Sequence, residues 1–262
     1  MNNPLISVII PTHNNSSILE EAVDSIIKQT YKNLEIIIID DNSSDNSFDV
    51  AKRLEEKDKR IKVYSLPFSD PNRVNKKGRN INAGYMARNY GFEKCNGEWI
   101  TFQDDDDISL PNRIETQYNL AKKYNSNHVC INWKREYKEE NKVNLDDETK
   151  LIDNIYLYKL SQKTKGLMYK LFGKLNSHIP FEIKTIRIIN KAFFGSLEPY
   201  PLCASVPIVK KEVISKIKFR QLDNRVWSSF TGRGADRDFN FAVAEKYKNS
   251  ICFDIPLYIW RA

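Results

Sequence analysis

Four aspartates in a row, Asp104 to Asp107, follow directly on the apolar run Trp99-Ile100-Thr101-Phe102. Adjacent carboxylates disfavour one another's ionisation unless a cation or hydrogen-bond donors compensate them. Hard divalent ions such as Mg2+ or Mn2+ are the usual compensation, because they take carboxylate and phosphate oxygens together. The block therefore suggests a place where a metal meets a phosphorylated ligand. Two more polar clusters close apolar runs: Pro11-Thr12-His13-Asn14 after Ile6–Ile10, and Asp40-Asp41-Asn42-Ser43-Ser44-Asp45 after Leu34–Ile39. The second has the outline of a calcium loop but fails as one, with Asn46 in place of the required glycine and Lys52 in place of the closing glutamate. No GxGxxG follows the first run and no GxxxxGK[ST] occurs, which leaves phosphates to be neutralised by something other than a glycine cradle. A metal on Asp104–Asp107 would do it.

The elements that must hold these clusters alternate. β-Branched Ile6–Ile10, stopped by Pro11, reads as a buried strand. Ser17 and Glu20 form a capping-box pattern ahead of a helix with Ile18, Ala22 and Ile26 on its apolar stripe. Strands over Leu34–Ile39, Ile61–Tyr64 and Trp99–Phe102 alternate with helices through Val50–Leu54, Ala83–Lys94 and Pro111–Tyr124. This order predicts a three-layer α/β fold with a mostly parallel sheet. In such sheets ligands bind beyond the carboxyl ends of the strands, where all three clusters fall. Asp40, Asp45 and Asp107 also suit turn or helix caps. After Trp133 the rhythm breaks, and residues 134–195 read as helices and loops over one sheet edge. Order returns with a strand over Cys203–Val209, a helix over Asp236–Tyr247 and a strand over Ile251–Trp260.

Composition narrows the class. The 262 residues are 41% hydrophobic and 29% charged, which suits a folded globular chain. No apolar run reaches the ~18 residues of a membrane span, and Met1-Asn2-Asn3-Pro4 lacks the basic start of a signal peptide. The net charge of +7 could face anionic lipid or a phosphorylated substrate, or serve solubility alone. Basic residues are scattered without a nucleic-acid-binding motif, so nucleic acid is not an expected partner. Cys95, Cys130, Cys203 and Cys252 form no CxxC pair, which argues for reduced core thiols rather than zinc ligands.

Ser7–Asn14, Gln29-Thr30-Tyr31 and Glu35–Asp45 resemble the start of family 2 glycosyltransferases with the GT-A fold, the Rossmann-like fold of nucleotide-diphospho-sugar transferases. Ala87-Arg88-Asn89-Tyr90-Gly91, Gly97–Asp107 and Pro111 resemble the family's second block with its DXD motif. Gly234-Ala235-Asp236 and the terminal Tyr258-Ile259-Trp260-Arg261 are similar to its Glu-Asp block and closing strand, with Ala235 where the family has an acid.

The resemblance implies a single GT-A domain over 1–262. Residues 1–130 would bind the nucleotide sugar, and residues 131–262 the acceptor, with a variable helical region at about 134–195. It implies a donor site of Pro11, Thr12, Asp41, Arg88 and Asp105, with Asp41 on the base. It implies Mn2+ or Mg2+ held by Asp106 with support from Asp104, and Asp236 as catalytic base, with Asp238 as the fallback and Arg237 as a phosphate contact. Arg88 is the weaker donor candidate, since a mid-helix arginine commonly covers surface with its aliphatic stem. The implied reaction is inverting hexosyl transfer, from a UDP-sugar to a glycan or lipid-linked acceptor in polysaccharide biosynthesis. Gln221, Arg225 and Trp227 have the wrong spacing for the processive enzymes' QxxRW motif, so one sugar is expected per acceptor. The expected location is cytoplasmic, with peripheral contact at the membrane's cytoplasmic face through the aromatic, lysine-rich stretch 155–195, whose aromatics suit core packing equally. Two alternatives stay open: a catalytically inactive nucleotide-sugar-binding protein, for which the missing acid at Ala235 speaks, and a sugar nucleotidylyltransferase.

Overall fold

The computed structural model describes residues 3–71, 73, 74, 80, 82–135, 188, 203–221, 224, 225, 234–247 and 249–261. The expected helical region over 134–195 and the lysine- and aromatic-rich stretch within it fall almost wholly outside the described residues.

Eight strands form one sheet: β1 (Ile6–Thr12), β2 (Leu34–Asp40), β3 (Ile61–Ser65), β4 (Trp99–Phe102), β5 (Ile108–Ser109), β6 (His128–Arg135), β7 (Cys203–Lys210) and β8 (Ile251–Trp260). Among the described residues the helices are α1 (Leu19–Ile27), α2 (Ser47–Lys57), α3 (Tyr85–Lys94), α4 (Arg113–Lys123), the short α5 (Lys211–Ile214) and α6 (Ala235–Lys246). The strand order is β3-β2-β1-β4-β7-β6-β8-β5. Strands β3, β2, β1 and β4 run parallel, as expected. Beyond β4 the sheet is mixed: β7 is antiparallel to β4 and β6, β8 is parallel to β6, and β5 is antiparallel to β8.

Side-chain alternation divides the core into two layers. Ile6, Val8 and Ile10 face one way with Ile36 and Ile38, against Leu19, Val23 and Ile26 of α1, Val50 and Leu54 of α2, and Ile114 of α4. Ile9, Ile37, Ile39, Ile100 and Phe102 face the other way, against Tyr85 and Phe92 of α3 and Phe239 and Val243 of α6. Burying one such aliphatic side chain stabilises the fold by about 1.5–3 kcal/mol. A sheet covered on both faces explains why β1 and β2 read as nearly continuous apolar runs.

Two local expectations need correction. Pro11 does not stop β1, which continues to Thr12 with Pro11 opposite Ile39. The Gln103 N–H donates to Ile9 O at 3.1 Å, so alternate backbone groups from Ile9 onward face β4. The amide that Pro11 lacks points to the side where β4 has already ended, and no ladder bond is lost. The Ser17 capping box also does not form. Helix α1 begins at Leu19 with no side-chain cap at its start. The exposed turn is instead tied from outside the helix, by Ser16 N–H on Asp45 Oδ2 at 3.0 Å. Asp45 is thus the cap it was expected to be, serving Ser47 and Ser16 together, and those hydrogen bonds hold its carboxyl well below the usual range.

Cys95, Cys130 and Cys252 are buried free thiols, as expected. Among the described residues no helix is long and apolar enough to cross a membrane.

Candidate active site

The loops after β1 and β2 are knitted into one wall. Asn14 and Asn42 take left-handed backbone conformations (φ 57° and 56°), which asparagine tolerates better than most residues. Asn14 Oδ1 accepts Ser44 N–H at 2.7 Å, and Asn14 N–H donates to Ser43 Oγ at 3.0 Å. Asp41 N–H donates to Thr12 O at 2.8 Å, and His13 Nδ1 lies 2.7 Å from Asp41 O. Asp41 is buried. Its Oδ1 pairs with Arg73 Nη2, which also donates to Asp41 O at 3.1 Å. Its Oδ2 has no hydrogen-bond partner. One oxygen is therefore held by a guanidinium while the other is left for a donor. Sequence reasoning missed Arg73, which sits in a polar loop without periodicity.

The acid block folds into a tight turn that its neighbours hold from both sides. The buried Gln103 donates its amide to Asp104 O at 3.0 Å and Asp107 O at 2.8 Å, joining the two ends of the turn. Ser109 Oγ donates to Gln103 Oε1 and fixes that amide's orientation. Gln103 closed the strand in the sequence, but nothing there marked it as the staple of the turn.

The carboxylates then separate by environment. Arg88 Nη2 pairs with Asp104 Oδ1, so this mid-helix arginine is buried in the site rather than covering surface. Gly84, at φ +64°, opens α3 beside it. A Cβ there would lie 3.0 Å from Arg88 Nη1 and 3.2 Å from Pro11 Cβ. Asp105 turns toward β1, where His13 N–H donates to its Oδ2 at 3.2 Å; burial pushes its carboxyl above the ordinary value. Asp106 is pushed up to about 6, first by burial and then by the charges of Asp104 and Asp105. Asp107 is also pushed up, by burial and by Asp104, while Arg261 N–H at 2.8 Å and the Tyr258 hydroxyl oppose the shift.

Asp107 is therefore not a cap ahead of Pro111. Helix α4 starts after Asn112 with no side-chain cap, and Asp107 points into the cluster. One oxygen each from Asp104, Asp106 and Asp107 lies within 4.8 Å of the others. Three converging carboxylates, two of them pushed up first by burial and then by neighbouring charge, match the hard oxygen donor set that a divalent cation takes.

The opposite wall comes from far along the chain. Helix α6 is seated by Phe239, stacked on Phe219 with centroids 4.3 Å apart and edge-on to Phe102 at 6.0 Å. Gly234, at φ 100°, starts the helix. Ala235 turns into the core and Asp236 turns to the pocket. The absence of an acid at 235 thus removes no carboxylate from the site. Asp238, the fallback base, is fully buried and held by the Arg220 fork (Nε to Oδ2 2.7 Å, Nη2 to Oδ1 2.9 Å). It does not line the pocket.

A single pocket of about 330 Å³ gathers the expected residues: Pro11, Thr12, Asp41, Arg88, Asp104, Asp105, Asp106 and Asp236 all line it. Arg73, Asp107 and Trp260 line it as well. Six carboxylates, of Asp41, Asp104, Asp105, Asp106, Asp107 and Asp236, thus share one cavity with the guanidinium groups of Arg73 and Arg88 and the Trp260 indole.

A model of glycosyl transferase family 2 matches residues 7–197 of this sequence. The chain belongs to that family. Its curated relatives include a Campylobacter jejuni protein named GalNAc(5)-diNAcBac-PP-undecaprenol beta-1,3-glucosyltransferase, 39% identical over 128 residues, 49% of this chain and 37% of that one. The chain spans about 60% of the length of other curated family 2 relatives that it matches more extensively. Among solved structures, S. aureus TarS 1–349 in complex with UDP-GlcNAc superposes with TM-score 0.59 at 16% identity, over 98% of this chain and 58% of that one. The mannosyltransferase PcManGT from Pyrobaculum calidifontis, in complex with GDP-Man and Mn2+, gives 0.56 at 16% identity, over 100% and 57%. These likenesses establish the GT-A fold of this family 2 chain.

Proposed function

We propose that the protein transfers one sugar from a nucleotide-diphospho-sugar, a UDP-sugar, to a hydroxyl of a glycan or lipid-linked acceptor, with inversion and without processivity. The observation that carries this reading is the convergence of three strand-end clusters and Asp236, from four separate stretches of chain, on one pocket. Family membership and the nucleotide-sugar complexes of the structural neighbours support the donor class, and the lipid-linked name of the C. jejuni relative supports the acceptor class.

At the donor end, Asp41 Oδ2 accepts an N–H of the base, with Oδ1 held by Arg73, while Pro11 and Thr12 line the nucleoside site. Asp105 stands beside the ribose and phosphates. Asp104, Asp106 and Asp107 would hold Mn2+ or Mg2+, supplying charge stabilisation for the departing nucleoside diphosphate. Arg88 orients Asp104 and adds positive charge behind the pyrophosphate. At the other end Asp236 removes the proton from the acceptor hydroxyl as its oxygen attacks the anomeric carbon from the face opposite the leaving group. Residues 1–130 then form the donor half and 131–262 the acceptor half of one domain, working in the cytoplasm at the membrane surface.

The decisive experiment offers purified protein a panel of UDP- and GDP-sugars with Mn2+ and follows nucleoside diphosphate release and transfer to glycosides. Release from at least one donor is expected. If no nucleotide sugar is consumed, the transferase reading fails and binding without turnover takes its place.

A further inference from the structure

The mechanism above makes no use of Trp260. It ends β8, lines the pocket and leaves 39% of its surface exposed. A tryptophan can place its ring edge in solvent anywhere on a protein. Here it does so inside a pocket whose wall includes six carboxylates and two guanidinium groups. Its orientation is set by Trp133, whose ring meets it edge to face, with centroids 4.9 Å apart and planes at 82°. Trp133 is in turn packed with Ile131, Val206, Leu257 and Tyr258. Alternation along β8 puts Trp260 on the same face as Tyr258, and the Tyr258 hydroxyl accepts Asp104 N–H at 3.2 Å. The indole therefore stands beside the acid turn as a rigid apolar plate.

Its neighbours say which part of the pocket it lines. The next residue, Arg261, donates its N–H to Asp107 at 2.8 Å and its guanidinium to Glu21 of α1 at 2.8 Å. Trp260 thus flanks the acid turn, in the same pocket that Asp236 lines. A flat apolar face next to carboxylates is complementary to a pyranose ring, which has a face of C–H groups and an edge of hydroxyls. Both donor and acceptor bring such a ring. The donor sugar is already held through its nucleotide, whereas the acceptor needs a surface of its own.

We propose that Trp260 is the stacking platform for the terminal pyranose of the acceptor, a subsite that presents its hydroxyl to Asp236. The assignment of that ring to an acceptor rests on the transferase reading. Saturation-transfer NMR with methyl glucopyranoside, methyl galactopyranoside and methyl N-acetylgalactosaminide, in the presence of UDP and Mg2+, tests it without requiring turnover. The wild type should show saturation concentrated on one ring face of at least one glycoside. Trp260→Ala should weaken that binding about tenfold, equivalent to about 1.4 kcal/mol, and Trp260→Phe should restore most of it. Calorimetry should give the same UDP-glucose affinity in wild type and Trp260→Ala.

Three results overturn the proposal: no face-selective saturation in the wild type, unchanged glycoside binding in Trp260→Ala, or a fall in UDP-glucose affinity with UDP affinity intact. The last would put the donor's ring on the indole. A wild type that stacks glycosides on Trp260 yet consumes no nucleotide sugar would keep the sugar subsite and remove the reaction, so the two readings fail separately.

Discussion

The proposed donor end and the proposed attacking end of the pocket are built in different ways. The donor end is assembled from repeats of one local device, a parallel strand whose last residues turn into a polar loop and a helix. Thr12 ends β1, Asp41 follows β2 directly, and Asp104–Asp107 come one residue after β4. The attacking end has no such unit. Asp236 opens a helix seated by aromatic stacking, and Trp260 and Arg261 come from a strand that joins the sheet beside β6 and β5. Residues placed by their own strand can be read from nearby sequence; residues placed by packing across the molecule cannot.

The comparison predicts that changes at the attacking end alter turnover and that changes at the donor end alter nucleotide binding. The largest effect belongs to Asp236→Asn, which should lower transfer by about 10²–10⁴-fold, the usual range for a lost general base. UDP affinity should stay within about twofold of wild type. Parallel loss of UDP binding by calorimetry would erase the distinction between the ends. Asp106→Ala should weaken UDP binding in Mn2+ on the order of 10–100-fold, and the difference between Mn2+ and metal-free titrations should vanish. Equal UDP affinity in wild type and variant would take the metal away from this turn.

Arg73→Ala should weaken uridine nucleotides about tenfold, by removing a charge-assisted bond that orients Asp41. Its kcat at saturating donor should hold, and a fall in kcat at constant KM would contradict the placement of Arg73 at the donor end. The smallest effect concerns pH. Asp106 keeps its proton to about 6 in the folded protein, against an ordinary 3.8. Its contribution to stability is therefore present below 3.8 and is lost as pH rises through about 6. In metal-free buffer, Asp106→Asn should gain Tm over wild type as pH goes from 4 to 7, by roughly 2–4 °C for each kcal/mol of burial and repulsion cost relieved. A Tm difference that does not change with pH would mean that Asp106 is neither buried nor crowded.

Much of the donor end was legible in the sequence. The strands carrying Thr12, Asp41 and the acid block appear within a residue or two of their expected bounds, because β-branched runs covered on both faces leave a strong signal. Arg88 and Asp236 also reached the pocket, and α6 and β8 stood out as periodic runs. What stayed hidden depends on tertiary placement. Four identical neighbours offer no sequence basis for sending Asp105 to β1 and Asp107 to the cluster. The Arg220 fork that removes Asp238 from consideration spans 18 positions between two separate elements. The Ser17 pattern was sound local chemistry, but Asp45 reached the loop from 29 positions away and tied it first. Strand direction was equally silent, since alternation looks the same whichever way β7 runs.

The closing strand has one more consequence, which concerns time. The Tyr258 hydroxyl that receives Asp104 N–H, and the Arg261 N–H that binds Asp107, each lie 154 positions after their partners. At ~5–20 residues per second, a ribosome takes roughly 8–30 s to travel from the aspartates to the residues that clasp them. For that interval the four carboxylates stand without the last two hydrogen-bond partners of their turn. A nascent chain can thus complete the wall formed by the loops after β1 and β2 early, while its acid turn acquires these two bonds only as β8 docks.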